Sequence, residues 1–226
     1  MSDALEVVRH PRARRARLSV DPASGRVRLT LPPRAPVKAA LKWAAGQQAW
    51  IDAQRARLPE PRPFAPGVTI PIGGMAVALD WEPGRPRKIT LDGDRLLCGG
   101  PLDGLSRRVE LWLRREALRV LTLETAEHAA RAGVTVATVS IGDPRGRWGS
   151  CASSGAIRYS WRLILAPAFV RRSTVAHEVA HRVHMNHGPD FHALAADLDD
   201  GDPEEARAWL RAHGAALHWF GRSPGG

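Results

Sequence analysis

The stretch His177-Glu178-Val179-Ala180-His181, with His187 six residues further on, decides how this chain is read. On an α-helix, residues i and i+4 project from one face, so His177 and His181 would offer two imidazole nitrogens to a single ion, with Glu178 beside it. The flanking residues support such a helix. On a helical wheel Val175, Val179 and Val183, with Ala176 and Ala180 alongside, span an apolar arc of about 140°, and His177, His181 and His184 fall on the opposite side. One face is therefore expected to meet a core and the other to line a cleft.

Geometry separates two candidates for a third ligand. On a continuing helix His184 would lie about 10.5 Å along the axis from His177, at 1.5 Å per residue, too far to share one ion. His187 would face away on that helix, but Asn186, Gly188 and Pro189 signal a helix end. A left-handed Asn at that point would reverse the chain and swing His187 back to the ion. Three neutral imidazoles with a fourth position open to water predict a catalytic rather than a structural zinc site. Zn2+ is the expected cofactor, although imidazole also suits other divalent ions. Glu178 is expected to take the proton of the zinc-bound water and pass it to the leaving group. For the oxyanion the sequence offers Tyr159, the only tyrosine, together with His184 and several arginines, and does not choose among them.

Upstream of this helix, Val134 to Ile141 and Ile157 to Leu165 are apolar, β-rich runs separated by the turn signals Gly142-Asp143-Pro144 and Gly146. They read as a hairpin just before the helix that carries the histidines. Within the connection, Trp148 and Cys151 read equally well as core residues and Gly149 as a turn.

Arg147-Trp148-Gly149-Ser150-Cys151, Ile157 to Leu165 with Ala166-Pro167, the His177 to His181 string, Met185-Asn186-His187 and Phe191 together resemble the YgjP-like metallopeptidase family, which is related to the SprT and Spartan-type zinc proteases. The resemblance implies zinc ligands His177, His181 and His187 and a catalytic carboxylate at Glu178. It also implies a small zincin fold, in which a helix, a β-hairpin and the zinc-binding helix enclose the cleft. Val179 stands where leucine is usual and His192 where tryptophan is common, and neither touches the metal chemistry. His184 occupies the glycine position of the metzincin pattern, so that class is disfavoured.

The remaining sequence predicts an α+β chain with an N-terminal β-rich accessory region over residues 1–100, a zincin-like metallohydrolase domain over 101–222 and a flexible tail over 223–226. Leu5 to Leu31 reads as a hairpin about the turn Asp21 to Gly25, and Val37 to Leu58 as one helix with Trp43 and Trp50 on a shared face, more core than platform. Short strands follow from Val68 to Cys98, broken at Gly73-Gly74, Pro83-Gly84 and Asp92-Gly93. Helices are expected over Arg107 to Ala132, stopped by Gly133, and over Pro203 to His213.

With 226 residues the chain can bury a core without disulfides, and Cys98 and Cys151 are too few for a disulfide framework. The segment Met1 to Ala16 contains no apolar core of a signal peptide, and no apolar run approaches the roughly 20 residues of a membrane span. A cytoplasmic protein with no membrane partner is the expectation. The net charge of +10 would attract phosphates, and arginines cluster between Arg9 and Arg28 and again at Arg107, Arg108, Arg114 and Arg115. Nucleic acid is thus a candidate partner, weighed against a merely solvated basic face; oligomeric state is not legible. Three functions compete. The leading one is a zinc metallopeptidase acting on exposed polypeptide, with DNA-associated proteins suggested by the SprT and Spartan relatives. The second is a nucleotide pyrophosphatase or phosphohydrolase using the same site with arginine clamps, disfavoured by the lack of a phosphate-cradling glycine loop. The third is a non-catalytic zinc-containing nucleic-acid-binding module, for which Glu178 would be superfluous.

Overall fold

A computed structural model describes residues 5–223, which form an α+β chain of two compact units that divide after Glu60. The expected tail at 223–226 falls almost wholly outside the described residues.

In the first unit, strands β1 (Glu6–Arg9), β2 (Arg17–Val20) and β3 (Val27–Leu31) pair in the order β1-β3-β2. The hairpin is β2–β3, closed by Asp21, whose carbonyl accepts from Gly25 N at 2.7 Å, while β1 joins β3 in parallel. Alternation along β3 buries Val27, Leu29 and Leu31 and leaves Arg28 exposed, as a one-sided sheet requires. Ala40 and Ala44 of α1 (Val37–Ala45) pack on Leu29 and Leu31. The single helix expected from Val37 to Leu58 is two, because α1 stops at Gly46 and α2 (Gln48–Arg55) starts anew. Trp43 and Trp50 therefore sit on separate helices, and both are exposed rather than in a core.

The second unit opens with β4 (Thr69–Ile72), β5 (Met75–Trp81), β6 (Thr90–Asp92) and β7 (Arg95–Cys98) in the order β4-β5-β7-β6. Gly73 and Gly74, at φ 61° and 95°, turn the first hairpin in a conformation that side-chain-bearing residues avoid. This sheet buries Ile70, Val77, Leu79 and Leu96 in the same core as α3 (Leu105–Arg131) and the elements after it. These strands, expected in an accessory region over residues 1–100, thus share one core with α3 and the elements that follow it.

Along α3 the buried side chains Val109, Leu113, Ala117 and Leu121 recur every four residues, and Gly133 at φ 64° follows its end. Next come β8 (Thr138–Gly142), β9 (Gly149–Cys151) and β10 (Ala156–Ser160), ordered β8-β10-β9. The expected hairpin between the first and last of these runs is not formed, since β8 and β10 are parallel; the antiparallel partner of β10 is the short β9. Nor does the second run stay extended: Trp161–Leu165 is a 3-10 turn, wholly buried, with Arg162 N donating to the Ser160 hydroxyl.

Three helices finish the unit: α4 (Ala168–Ala180), α5 (Pro189–Leu198) and α6 (Pro203–Leu217). Asp202 caps α6 by accepting from Glu204 N at 2.8 Å, with Pro203 in the first turn. Among the described residues no helix is long and apolar enough to cross a membrane. Cys98 and Cys151 are both free thiols.

Candidate metal centre

Val175, Ala176, Val179 and Ala180 of α4 are fully buried, which turns His177 toward a cleft on the other side. The helix ends earlier than its sequence suggests. His181 is already its C-terminal cap, and the amides of Arg182, Val183 and His184 bond back to Val179 and Ala180 in a tight turn. Val183, expected on the buried arc, is consequently exposed. The reversal also needs no left-handed Asn186, because no residue other than glycine has positive φ among the described residues. The connection from His181 to Gly188 leads into α5 and carries His187 over the cleft.

There the ring nitrogens of His177, His181 and His187 lie within 4.8 Å of one another. His187 Nε2 stands 3.2 Å from His177 Nε2. Two ligands at 2.0–2.1 Å from a tetrahedral ion would be about 3.3 Å apart, so this spacing fits a shared metal. His181 Nδ1 donates to the His184 carbonyl at 3.1 Å, which fixes the tautomer and leaves Nε2 as the lone-pair donor. Phe191, fully buried on α5, backs all three rings at centroid distances of 4.5 to 4.9 Å. Burial, with the neighbouring imidazoles of His181 and His187, pushes His177 down to about 4, and burial lowers His181 too. Both rings are therefore neutral at pH 7, the state a metal requires. His184, as its spacing indicated, stays outside the cluster and contributes only its carbonyl.

Glu178 is only 6% exposed and makes no hydrogen bond or ion pair among the described residues. Burial pushes its carboxyl up to about 7, and the positive charge of Arg147 pulls against that rise. Gly149 explains how the carboxyl is accommodated: a Cβ there would stand 2.4 Å from Glu178 Oε1 and 2.6 Å from its Cγ, so the β9 backbone lies directly on the side chain. Gly149 is thus a strand residue needed for close approach rather than a turn. Trp148 before it is held by a 5.4 Å ring contact with His218, and Gly214 on α6 leaves room for it, since a Cβ there would fall 2.8 Å from Trp148 Cζ2.

A cavity of about 340 Å³ opens beside His177 and Glu178, with Trp148 and Leu210 among its apolar walls and Arg147 and Arg207 among its polar ones. Tyr159 is not in it. That side chain is fully buried, its hydroxyl is 3.0 Å from Thr125 Oγ1, and burial holds its pKa well above the usual range. Of the three kinds of oxyanion donor the sequence offered, only arginine reaches the cavity.

The scaffold is tied by two ionic clusters. Arg171 on α4 forms a buried bidentate pair with Glu124 on α3, with Arg171 Nη2 to Glu124 Oε1 at 2.8 Å. Arg162 in the 3-10 turn pairs with Asp143 at 2.7 Å and donates to the carbonyls of Leu217 and Phe220 at the end of α6. Neither cluster is visible in local sequence, and neither is Gly149 or Phe191 as a neighbour of the site. The motif positions of the last two were the available signal.

A family model described as YgjP-like, metallopeptidase domain, matches residues 14–213 and so includes every residue of this cleft. No curated protein and no solved structure matches the chain.

Proposed function

The chain belongs to the YgjP-like metallopeptidase family, and from that premise we propose that it is a zinc-dependent peptidase with a zincin-like cleft, in which His177, His181 and His187 hold the metal and Glu178 is the catalytic base. The observation that carries this reading is the unpartnered, buried carboxyl of Glu178 next to three converged imidazoles. A structural site would have no use for it. The chemistry supplied by a bound zinc ion is that of a Lewis acid: acidification of water and polarisation of the oxygen under attack.

The side chains do the rest. Glu178, with a pKa raised to about 7 by burial, is poised to accept the proton of the attacking water at Oε1 or Oε2 and deliver it to the leaving amine. Gly149 keeps the carboxyl in place from the opposite side. The outer edge of β9, the last strand of its sheet, offers unpaired peptide groups to an extended substrate. Arg147, beside Glu178 in the cavity wall, is the candidate to stabilise the developing oxyanion.

Arg147 and Arg207 in one cavity also favour a second reading, hydrolysis of a nucleotide phosphoanhydride at the same site. The test is hydrolysis by the zinc-loaded wild type and Glu178→Gln, at matched metal content, of an unfolded protein and of a nucleoside triphosphate panel. Peptide cleavage that drops by about 10² to 10⁴ in the variant is expected. Glu178-dependent cleavage of triphosphates alone would replace the first reading with the second, and zinc retention with neither activity would leave a binding module.

A further inference from the structure

We propose that the outer face of the β8-β10-β9 sheet is a groove for the phosphates of a nucleic-acid strand, built by Arg147 and Arg158 with the hydroxyls of Ser140 and Ser150. Arg158 on β10 is the register partner of Ser140 on β8 and of Ser150 on β9, so the three form one row across a single face. Ile157 and Tyr159, which alternate with Arg158, are fully buried, and this puts Arg158 on the solvent side. Two concavities of about 230 and 420 Å³ lie on this face, and Arg147, Ser150 and Arg158 line both.

Charge is left available on this face. Arg114, Arg131, Arg162, Arg171 and Arg172 are all engaged with carboxylates. The guanidinium groups of Arg147 and Arg158 have no hydrogen bond or salt bridge among the described residues. Asp143, the acidic residue in the smaller concavity, is already held by Arg162 at 2.7 and 3.0 Å. The shape of the groove is also specified: a Cβ on Gly142 would lie 2.6 Å from both Nε and Nη2 of Arg158, so the guanidinium rests across bare backbone. A planar fork fixed in that way, flanked by two hydroxyls, suits a phosphate. Two adjoining concavities that share their arginines suit successive phosphates of a strand, as does a chain of net charge +10. Arg147 also lines the cavity at Glu178, so a strand bound here would lie alongside whatever the cleft holds.

This groove stands independently of the reaction in the cleft, and binding alone tests it. Fluorescence anisotropy of a labelled single-stranded oligonucleotide would be measured against the zinc-loaded full chain at several salt concentrations. Arg158→Ala is expected to weaken binding at least tenfold and to flatten the log–log salt slope by about 0.7, the value for one phosphate contact on a single strand. Gly142→Ala, which keeps every charge but displaces Arg158, is expected to weaken it comparably. Arg158→Lys supplies the same test without altering the backbone, since it keeps the charge and loses the fork. Arg211→Ala, an exposed arginine on α6, is expected to change affinity less than twofold. Equal losses for Arg158→Ala and Arg211→Ala would reduce the groove to diffuse charge and overturn the proposal. Absence of oligonucleotide binding, or Arg158-dependent binding of an acidic peptide in its place, would overturn it as well.

Discussion

Two buried glutamates set the scaffold and the cleft apart. Glu124, where α3 meets α4, and Glu178, in the last turn of α4, are 7% and 6% exposed. Glu124 has a buried guanidinium that matches it oxygen for nitrogen. Glu178 has the bare backbone of Gly149 on one side and the cavity on the other. A buried carboxylate without a counter-ion is unfavourable and shifts toward its neutral form, so a fold keeps one only at a cost in stability. The same residue type at the same depth is therefore a paired brace in one place and, in the other, a carboxyl that burial pushes up to about 7, as the proposed base would need. The partner, not the burial, makes the difference.

The largest expected effect breaks the brace. Glu124→Ala leaves Arg171 buried and unpaired and should destabilise the protein by about 3–5 kcal/mol, read from urea unfolding; replacement of both partners by apolar residues of similar volume should recover much of the loss. If Glu124→Ala cost under 1 kcal/mol, the pair would be no brace.

Glu178 should behave in the opposite sense. Its carboxyl titrates near 7 in the folded chain against 4.5 unfolded, so the folded state holds more protons between those values. The wild type accordingly loses stability as pH rises from 4.5 through 7. Glu178→Gln removes that loss. In metal-free protein its stability relative to wild type should increase by up to about 3 kcal/mol between pH 4 and pH 8, at 1.36 kcal/mol per pKa unit. His177, lowered to about 4, works the other way, since its contribution is lost as pH falls below 6.5, but it is common to both proteins and cancels in the comparison. A pH-independent difference in melting temperature between the two would contradict an unpartnered buried carboxyl.

Gly149→Ala sharpens the comparison from the other side, because it pushes on Glu178 while leaving the carboxyl in the molecule. Displacement of a catalytic group by about 1 Å costs about 10² in rate, and a loss of that order in kcat with unchanged zinc content is expected. The smallest effect belongs to Arg172, next in sequence to Arg171 but paired at the surface with Glu127 and Asp200. Arg172→Ala should cost no more than about 1 kcal/mol and should matter less in high salt, as thermal melts at two ionic strengths would show.

What the sequence by itself determined follows from short-range periodicity. The i, i+4 histidines with Glu178 between them, the four-residue repeat of Val109, Leu113, Ala117 and Leu121, and the glycine turns at Gly73-Gly74 and Gly93 all depend on local backbone geometry, which residues a few positions apart specify. His187 was legible in part, since a turn was certain from Asn186, Gly188 and Pro189 but its place was not: α4 gives way at His181 because the turn amides find carbonyls at Val179 and Ala180. Only the tertiary structure decided the parallel pairing of β8 with β10, the place of β4 to β7 in the same core as α3 and α4, and the surroundings of the two glutamates. Those depend on groups tens of residues apart, 47 between Glu124 and Arg171, whose meeting is set by how layers pack to bury apolar surface. A sequence shows that a carboxylate is present; whether it has a counter-ion is decided by what the packed chain puts beside it.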